Sequence, residues 1–149
     1  MDIQSTAEQF NFKASSTESL RTVFTAQSKV YFYCKEAVCE FVFRRNMLPV
    51  NPFMAFGYFL GDRVDRDLTR RANNRLISMC DELWVFGDIA NGVMFEILLA
   101  RSSGKPVRYF TISAKSSEIT EVSLRDLHFE SEMALTQEQI DAFLRLVAE

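Results

Sequence analysis

Residues Cys80–Phe110 constrain the fold of this chain more than any other stretch. Leu83–Phe86 is a short apolar run typical of a buried strand, and Gly87 ends it. The mostly apolar segment Val93–Ala100 is long enough for a helix, and Pro106–Phe110 has the composition of a second strand. A strand, a helix and a strand over this length form a βαβ unit, in which the two strands pair in parallel. The chain is therefore predicted to be an α/β protein.

Shorter stretches on both sides extend this unit into a larger sheet. The β-branched and aromatic run Lys29–Tyr33 predicts the first strand, Leu48–Val50 a short edge strand, and part of Ile119–Phe129 a fifth strand. A capping box at Thr136 and Gln139 predicts the start of a terminal helix. The predicted helical faces are Ala37, Val38, Phe41 and Val42; Val64, Leu68, Ala72, Leu76 and Met79; and Ile140, Phe143, Leu144 and Val147. This order predicts a doubly wound, flavodoxin- or Rossmann-like parallel sheet with strand order 2-1-3-4-5.

The composition is that of an ordinary globular domain, with 149 residues, 48% hydrophobic and 25% charged. A net charge of −3 argues against a general nucleic-acid binder. No apolar run approaches the roughly 20 residues of a membrane helix, and the N-terminus lacks signal-peptide features. The three cysteines form no CxxC pair. We therefore expect a cytoplasmic protein with one domain at residues 29–149 and an arm or partly ordered segment at residues 1–28.

The predicted switch point of the sheet lies between its first and third strands, where ligands bind in such folds. It would bring Tyr33 and Cys34 beside Gly87 and Asp88. Asp88 could bind a ligand or cap the next helix. Tyr33 could form a pocket wall, whereas Cys34 has no visible histidine partner and is not expected to be a nucleophile. A Cys/His metal site is not expected either, and no cofactor is implied.

Glu96 is a carboxylate within the apolar segment that follows this switch point. Burying a charge is costly unless it is paired or hydrogen-bonded, so Glu96 needs a reason to be there. It could act as a nucleophile or accept a hydrogen bond from a ribose hydroxyl. Alternatively, it lies on an exposed stripe of the helix or pairs with Arg101 or Lys105.

Two further stretches could contact a ligand. Asn91 and Gly92 would let the backbone approach a ligand closely, although the GxGxxG and GxxxxGK[ST] phosphate motifs are absent. The apolar segment Asn51–Gly61 is predicted to be a loop that caps a pocket or meets a partner. Phe53 is its candidate ligand-binding residue.

The pattern CDELWVFGD…NGxMxxEIxxA…GKPVRYF in Cys80–Phe110, with NPFMAFGYFLGD upstream, resembles the nucleoside 2-deoxyribosyltransferase-like superfamily. It is most similar to a small bacterial and phage branch, over roughly Val30–Phe110. In characterised relatives a helix glutamate attacks C1′ of a deoxyribonucleoside and expels the base, and the sugar passes to another base or to water. The resemblance implies that Glu96 is this nucleophile and that Asp88 assists. It also implies a homo-oligomer (a dimer or higher) that needs no metal.

One feature departs from that family pattern. Relatives carry a Ser/Gly-rich loop after the first strand, which holds the sugar or its 5′-phosphate. Here Tyr33 is predicted to run directly into a helix, so the loop is predicted to be deleted and turnover to be impaired. Three hypotheses follow: an N-glycosidase or deoxyribosyltransferase, a non-catalytic nucleoside- or nucleotide-binding module, and a homo-oligomeric interaction protein.

Overall fold

A single five-stranded sheet organises the computed structural model, which describes residues 2–10, 19–57 and 60–148. The strands are β1 (Thr22–Gln27), β2 (Leu48–Val50), β3 (Glu82–Phe86), β4 (Val107–Phe110) and β5 (Glu121–Val122). Their order in the sheet is β2-β1-β3-β4-β5; the first four run parallel, and β5 pairs antiparallel with β4. The predicted α/β class and strand order are confirmed.

Six α-helices lie in the described part of the chain. They are α1 (Ile3–Gln9), α2 (Lys35–Phe43), α3 (Pro52–Ala55), α4 (Arg66–Met79), α5 (Asn91–Ser102) and α6 (Gln137–Val147). Short 3-10 helices span Lys29–Cys34, Leu60–Asp62, Ser116–Glu118, Leu124–Asp126 and Ser131–Met133. None of the helices in these described ranges is long and apolar enough to cross a membrane.

Helices cover both faces of the sheet, as the alternation of side chains along β3 requires. Leu83 and Val85 pack into a core formed with α4, α5 and α6. Trp84 and Phe86 point to the opposite face, where α2 completes a second core. Because β3 is buried on both faces, its residues Leu83–Phe86 form a continuous apolar run rather than an alternating one.

The prediction of the first strand is wrong. β1 is Thr22–Gln27, and Lys29–Tyr33 lies in the 3-10 helix Lys29–Cys34. Both segments are rich in β-branched and aromatic residues, so local preference does not separate them. The position between β2 and β3 separates the two segments, because a central strand is buried on both faces. Val23–Gln27 is buried, whereas Lys29 and Tyr33 are exposed.

This shift also corrects the predicted run of the first strand directly into a helix at Tyr33, whereas the missing Ser/Gly-rich loop stays a prediction. Since β1 ends at Gln27, residues 28–34 connect it to α2. Ser28 begins the 3-10 helix by accepting a hydrogen bond from the Val30 amide at 3.4 Å. The sheet therefore begins within the stretch 1–28 that we assigned to an arm, of which residues 1 and 11–18 lie outside the described part.

Two further predictions need correction. The segment Asn51–Gly61 was predicted to be a loop, but it begins with α3, and Tyr58 and Phe59 lie outside the described residues. The predicted apolar face of α4 is partly wrong: Leu76 packs against the core, but Leu68 and Met79 are exposed and Ile77 is the buried residue.

The terminal helix is confirmed. The side chain of Thr136 accepts from the Gln139 amide, and the Gln139 side chain accepts from the Thr136 amide. Phe143 and Val147 are buried from its apolar face. β2 lies at the sheet edge, where Pro49 is tolerated because one side of the strand needs no ladder bonds.

Candidate functional site

Gly87 makes the turn at the carboxyl end of β3, where the strands of the sheet point toward the candidate site. Its φ of 80° is a left-handed conformation that other residues rarely adopt. A Cβ at this position would lie 2.5 Å from Cγ2 of Ile112. Both constraints require glycine at this position, whether or not a ligand binds here.

Asp88 follows this turn and contacts the connection after β1. The Tyr31 hydroxyl donates to Asp88 Oδ2 at 3.2 Å. The nearby negative charge of Asp88, together with burial, raises the pKa of Tyr31 above its ordinary value. Asp88 does not cap α5, whose N-cap is Ala90. The predicted neighbourhood of the first and third strands is therefore present, but Tyr31 rather than Tyr33 makes the contact.

The C-terminal segment adds a second acid to this edge. The Ile89 amide donates to the His128 carbonyl at 2.8 Å, and the Glu130 amide donates to the Ile89 carbonyl at 2.9 Å. This short parallel bridge holds the Glu130 side chain beside β1, where the Ser28 hydroxyl donates to its Oε1. Sequence reasoning missed Glu130 because nothing local in residues 128–130 indicates pairing with residue 89.

Asn51 ties three elements together near the same edge. Its buried side-chain Nδ2 donates to Thr25 Oγ1 at 2.8 Å and to Gln27 Oε1 at 3.0 Å. Its Oδ1 accepts from the Phe53 and Met54 amides and so caps α3. Gln27 in turn donates to the Tyr31 carbonyl at 2.8 Å. This network links the apolar segment that starts at α3 to the turn that carries Tyr31.

Glu96 is buried in the second turn of α5, with 9% of its surface exposed. Burial raises the pKa of its carboxyl group to about 7, although the Asn73 hydrogen bond acts in the opposite direction. Asn73 Nδ2 donates to Glu96 Oε2 at 2.6 Å. The alternative of an exposed stripe or a pair with Arg101 or Lys105 is wrong, since Lys105 instead donates to the Cys80 carbonyl at 2.6 Å.

Asn73 is a second residue that sequence reasoning missed. It precedes the buried Ile77 by one helical turn and therefore lies on the same face of α4. A polar residue on a buried face is the signal that could have found it. The apolar face predicted for this helix (Val64, Leu68, Ala72, Leu76 and Met79) includes neither Asn73 nor Ile77.

The remaining candidates occupy several different environments. Tyr33 is 58% exposed. Cys34 is buried, and burial raises the pKa of its thiol, which disfavours the reactive thiolate. Asn91 and Gly92 form the exposed start of α5, and Phe53 is half-buried in α3. The described residues contain no hydrogen bond between these side chains and Glu96.

The described residues form two separate polar groups rather than one continuous site. Asp88, Tyr31, Ser28 and Glu130 meet at the carboxyl ends of β1 and β3. Glu96 and Asn73 lie between α4 and α5. Within residues 2–10, 19–57 and 60–148, no three His, Cys, Asp or Glu side chains are grouped to hold a metal ion.

Most of the sheet lies within a stretch of sequence that matches a known family. Residues 24–110, from β1 to the end of β4, match the family model described as a domain of unknown function, DUF7768. The chain belongs to the DUF7768 family. The DUF7768 region includes Asp88, Asn73 and Glu96, whereas Glu130 lies beyond it. No curated protein and no solved structure matches the chain.

Proposed function

We propose that this DUF7768 protein acts on the N-glycosidic bond of a deoxyribonucleoside or its monophosphate, with Glu96 as the nucleophile. The observation that carries the proposal is the buried Glu96 carboxyl group, whose pKa is raised to about 7 beside the neutral amide of Asn73. Perturbed carboxyl groups behind the carboxyl ends of parallel strands are common at active sites. The resemblance to the 2-deoxyribosyltransferase-like superfamily adds the substrate class.

The proposed reaction has two steps. In the first, a Glu96 oxygen forms a bond to C1′ while the bond from C1′ to the base nitrogen breaks. The electron pair leaves with the base, which takes up a proton. In the second, water attacks C1′, the bond to Glu96 breaks, and the carboxylate is restored as the water loses a proton. A second base in place of water would make the same intermediate a transfer reaction.

The group around Asp88 supports a role in orienting the substrate. Asp88 and Glu130 supply carboxylate oxygens that can accept hydrogen bonds from sugar hydroxyls or exocyclic amines. The Tyr31 hydroxyl already holds one Asp88 oxygen and so limits how that side chain can rotate.

Base release from purified protein tests the proposal. The protein is incubated with the four common deoxyribonucleosides and their 5′-monophosphates, and free base is measured by chromatography. We expect Glu96→Gln to lower the rate on the order of 10³-fold or more, as loss of a nucleophile does. Glu132→Gln, at an exposed glutamate in the Ser131–Met133 turn, is the matched control and should behave like the wild type. Unchanged base release in Glu96→Gln would refute the assignment.

The same pKa favours a second candidate, a nucleoside-binding module without turnover. At neutral pH a carboxyl group with a pKa of about 7 is protonated about half of the time, and a neutral carboxyl group is a poor nucleophile but a good hydrogen-bond donor. A nucleoside would then raise the melting temperature without losing its base. Base release by the wild type would exclude this candidate, whereas a shift without release would favour it.

A further inference from the structure

Asn73 is the polar side chain that α4 presents to Glu96. Its amide Nδ2 lies 2.6 Å from Glu96 Oε2, a short distance for a nitrogen donor. The contact joins two regular helices whose inner faces pack against the same side of the sheet, with Ile77 and Ile97 in one core. The position of Asn73 is therefore held by packing on either side.

The two oxygens of Glu96 have different environments. Oε2 accepts from Asn73, and Oε1 accepts no hydrogen bond from the described residues. The same part of the chain has no fully buried side-chain oxygen or nitrogen without a partner. Because Asn73 occupies Oε2, Oε1 is the oxygen left to contact an incoming molecule.

We propose that Asn73 is a positioning residue: its amide holds Glu96 Oε2 and leaves Oε1 as the oxygen that attacks C1′. This inference rests on the proposed function, since it assigns a role in the same reaction. Holding one oxygen restricts rotation of the carboxyl group about its last bond and so favours one attack geometry.

The surroundings explain why a neutral donor suits this position. A lysine or arginine in place of Asn73 would form an ion pair, lower the pKa of Glu96 and make its oxygens weaker nucleophiles. The ionisable side chains of α4 and α6 are exposed, and β4 adds the half-buried Tyr109 to the same core. These exposed groups are Arg66, Asp67, Arg70, Arg71 and Arg75 in α4 and Glu138, Asp141 and Arg145 in α6.

The test compares Asn73→Ala and Asn73→Asp with the matched control Asn74→Ala, one position along the same helix. Base release is measured from pH 5 to 9 on the best substrate, and the Glu96 carboxyl group is titrated by carbon-13 NMR. We expect both Asn73 variants to lower kcat roughly 10- to 100-fold with little change in KM. The acid limb of the kcat–pH profile should move to higher pH in both variants. Alanine loses the hydrogen bond that favours charged Glu96, and aspartate places a second negative charge beside it. Asp, which keeps the size of Asn, serves if the alanine variant does not fold.

Each outcome decides the inference. A lower kcat and a shifted acid limb in the Asn73 variants, with Asn74→Ala like the wild type, would support it. Base release that depends on Glu96 but is unaltered in both Asn73 variants would refute the positioning role alone. Absence of base release from every nucleoside by the wild type would refute the proposed function and this inference with it.

Discussion

The stability of this protein should depend on pH through the buried side chain of Glu96. In the folded protein its pKa is about 7, compared with 4.5 for an ordinary glutamate. The folded state therefore holds this proton more tightly than the unfolded state does. Stability from the neutral carboxyl group is fully present below about pH 4.5 and is lost as the pH rises to about 7.

Replacement of Glu96 by glutamine removes this ionisation and keeps an oxygen that can accept from Asn73. One pKa unit corresponds to about 1.4 kcal/mol, so the gap between 4.5 and about 7 amounts to roughly 3 kcal/mol of free energy of unfolding. Relative to the wild type, Glu96→Gln should therefore gain roughly 3 kcal/mol between pH 4.5 and pH 8. Any pH-independent cost of the new amide cancels in this difference.

Urea denaturation at several pH values measures the effect. Trp84 is the single tryptophan and is fully buried in β3, so its fluorescence reports the loss of the core. Glu132→Gln, at an exposed glutamate, should follow the wild-type profile. If the profiles of Glu96→Gln and the wild type stay parallel from pH 5 to pH 8, the carboxyl group is not perturbed as its burial requires, and the argument fails.

Three further predictions concern stability and reactivity. Gly87→Ala should lower the free energy of unfolding by at least about 2 kcal/mol, because of the left-handed backbone and the clash with Ile112. Thermal denaturation measures this, and an unchanged melting temperature would contradict the described turn. Asn51→Ala should cost roughly 2–4 kcal/mol in urea denaturation, because it removes the cap of α3 and two buried hydrogen bonds; a loss below 0.5 kcal/mol would contradict this network. Cys34 and Cys39 should react slowly with a disulfide reagent at pH 8 until the protein unfolds. Burial raises the pKa of both thiols, that of Cys39 to about 11. Fast labelling of the native protein would refute this.

A buried glutamate that lowers the free energy of unfolding at neutral pH needs a reason other than stability. Replacing a buried polar pair by apolar residues is often neutral or stabilising, so stability alone does not explain the contact of Asn73 with Glu96. Local features that oppose stability are concentrated at functional sites. This energetic argument supports Glu96 and Asn73 as the candidate site.

Local sequence determined much of this fold. The unit Cys80–Phe110 showed its strands and helix through short apolar runs, a glycine and a proline, and the terminal helix showed its start through Thr136 and Gln139. These signals act between residues a few positions apart. They do not depend on the rest of the chain, and both predictions are confirmed.

Tertiary structure decided the rest. β1 could be located only through its two neighbours, because Thr22–Gln27 and Lys29–Tyr33 have similar strand preferences and differ in whether both faces can be buried. The surroundings of Glu96 depend on Asn73, 23 positions away. Neither the hydrogen bond nor the desolvation that raises the pKa exists until α4 and α5 pack together on the sheet. Sequence could name Glu96 as a candidate, but only packing determines its charge.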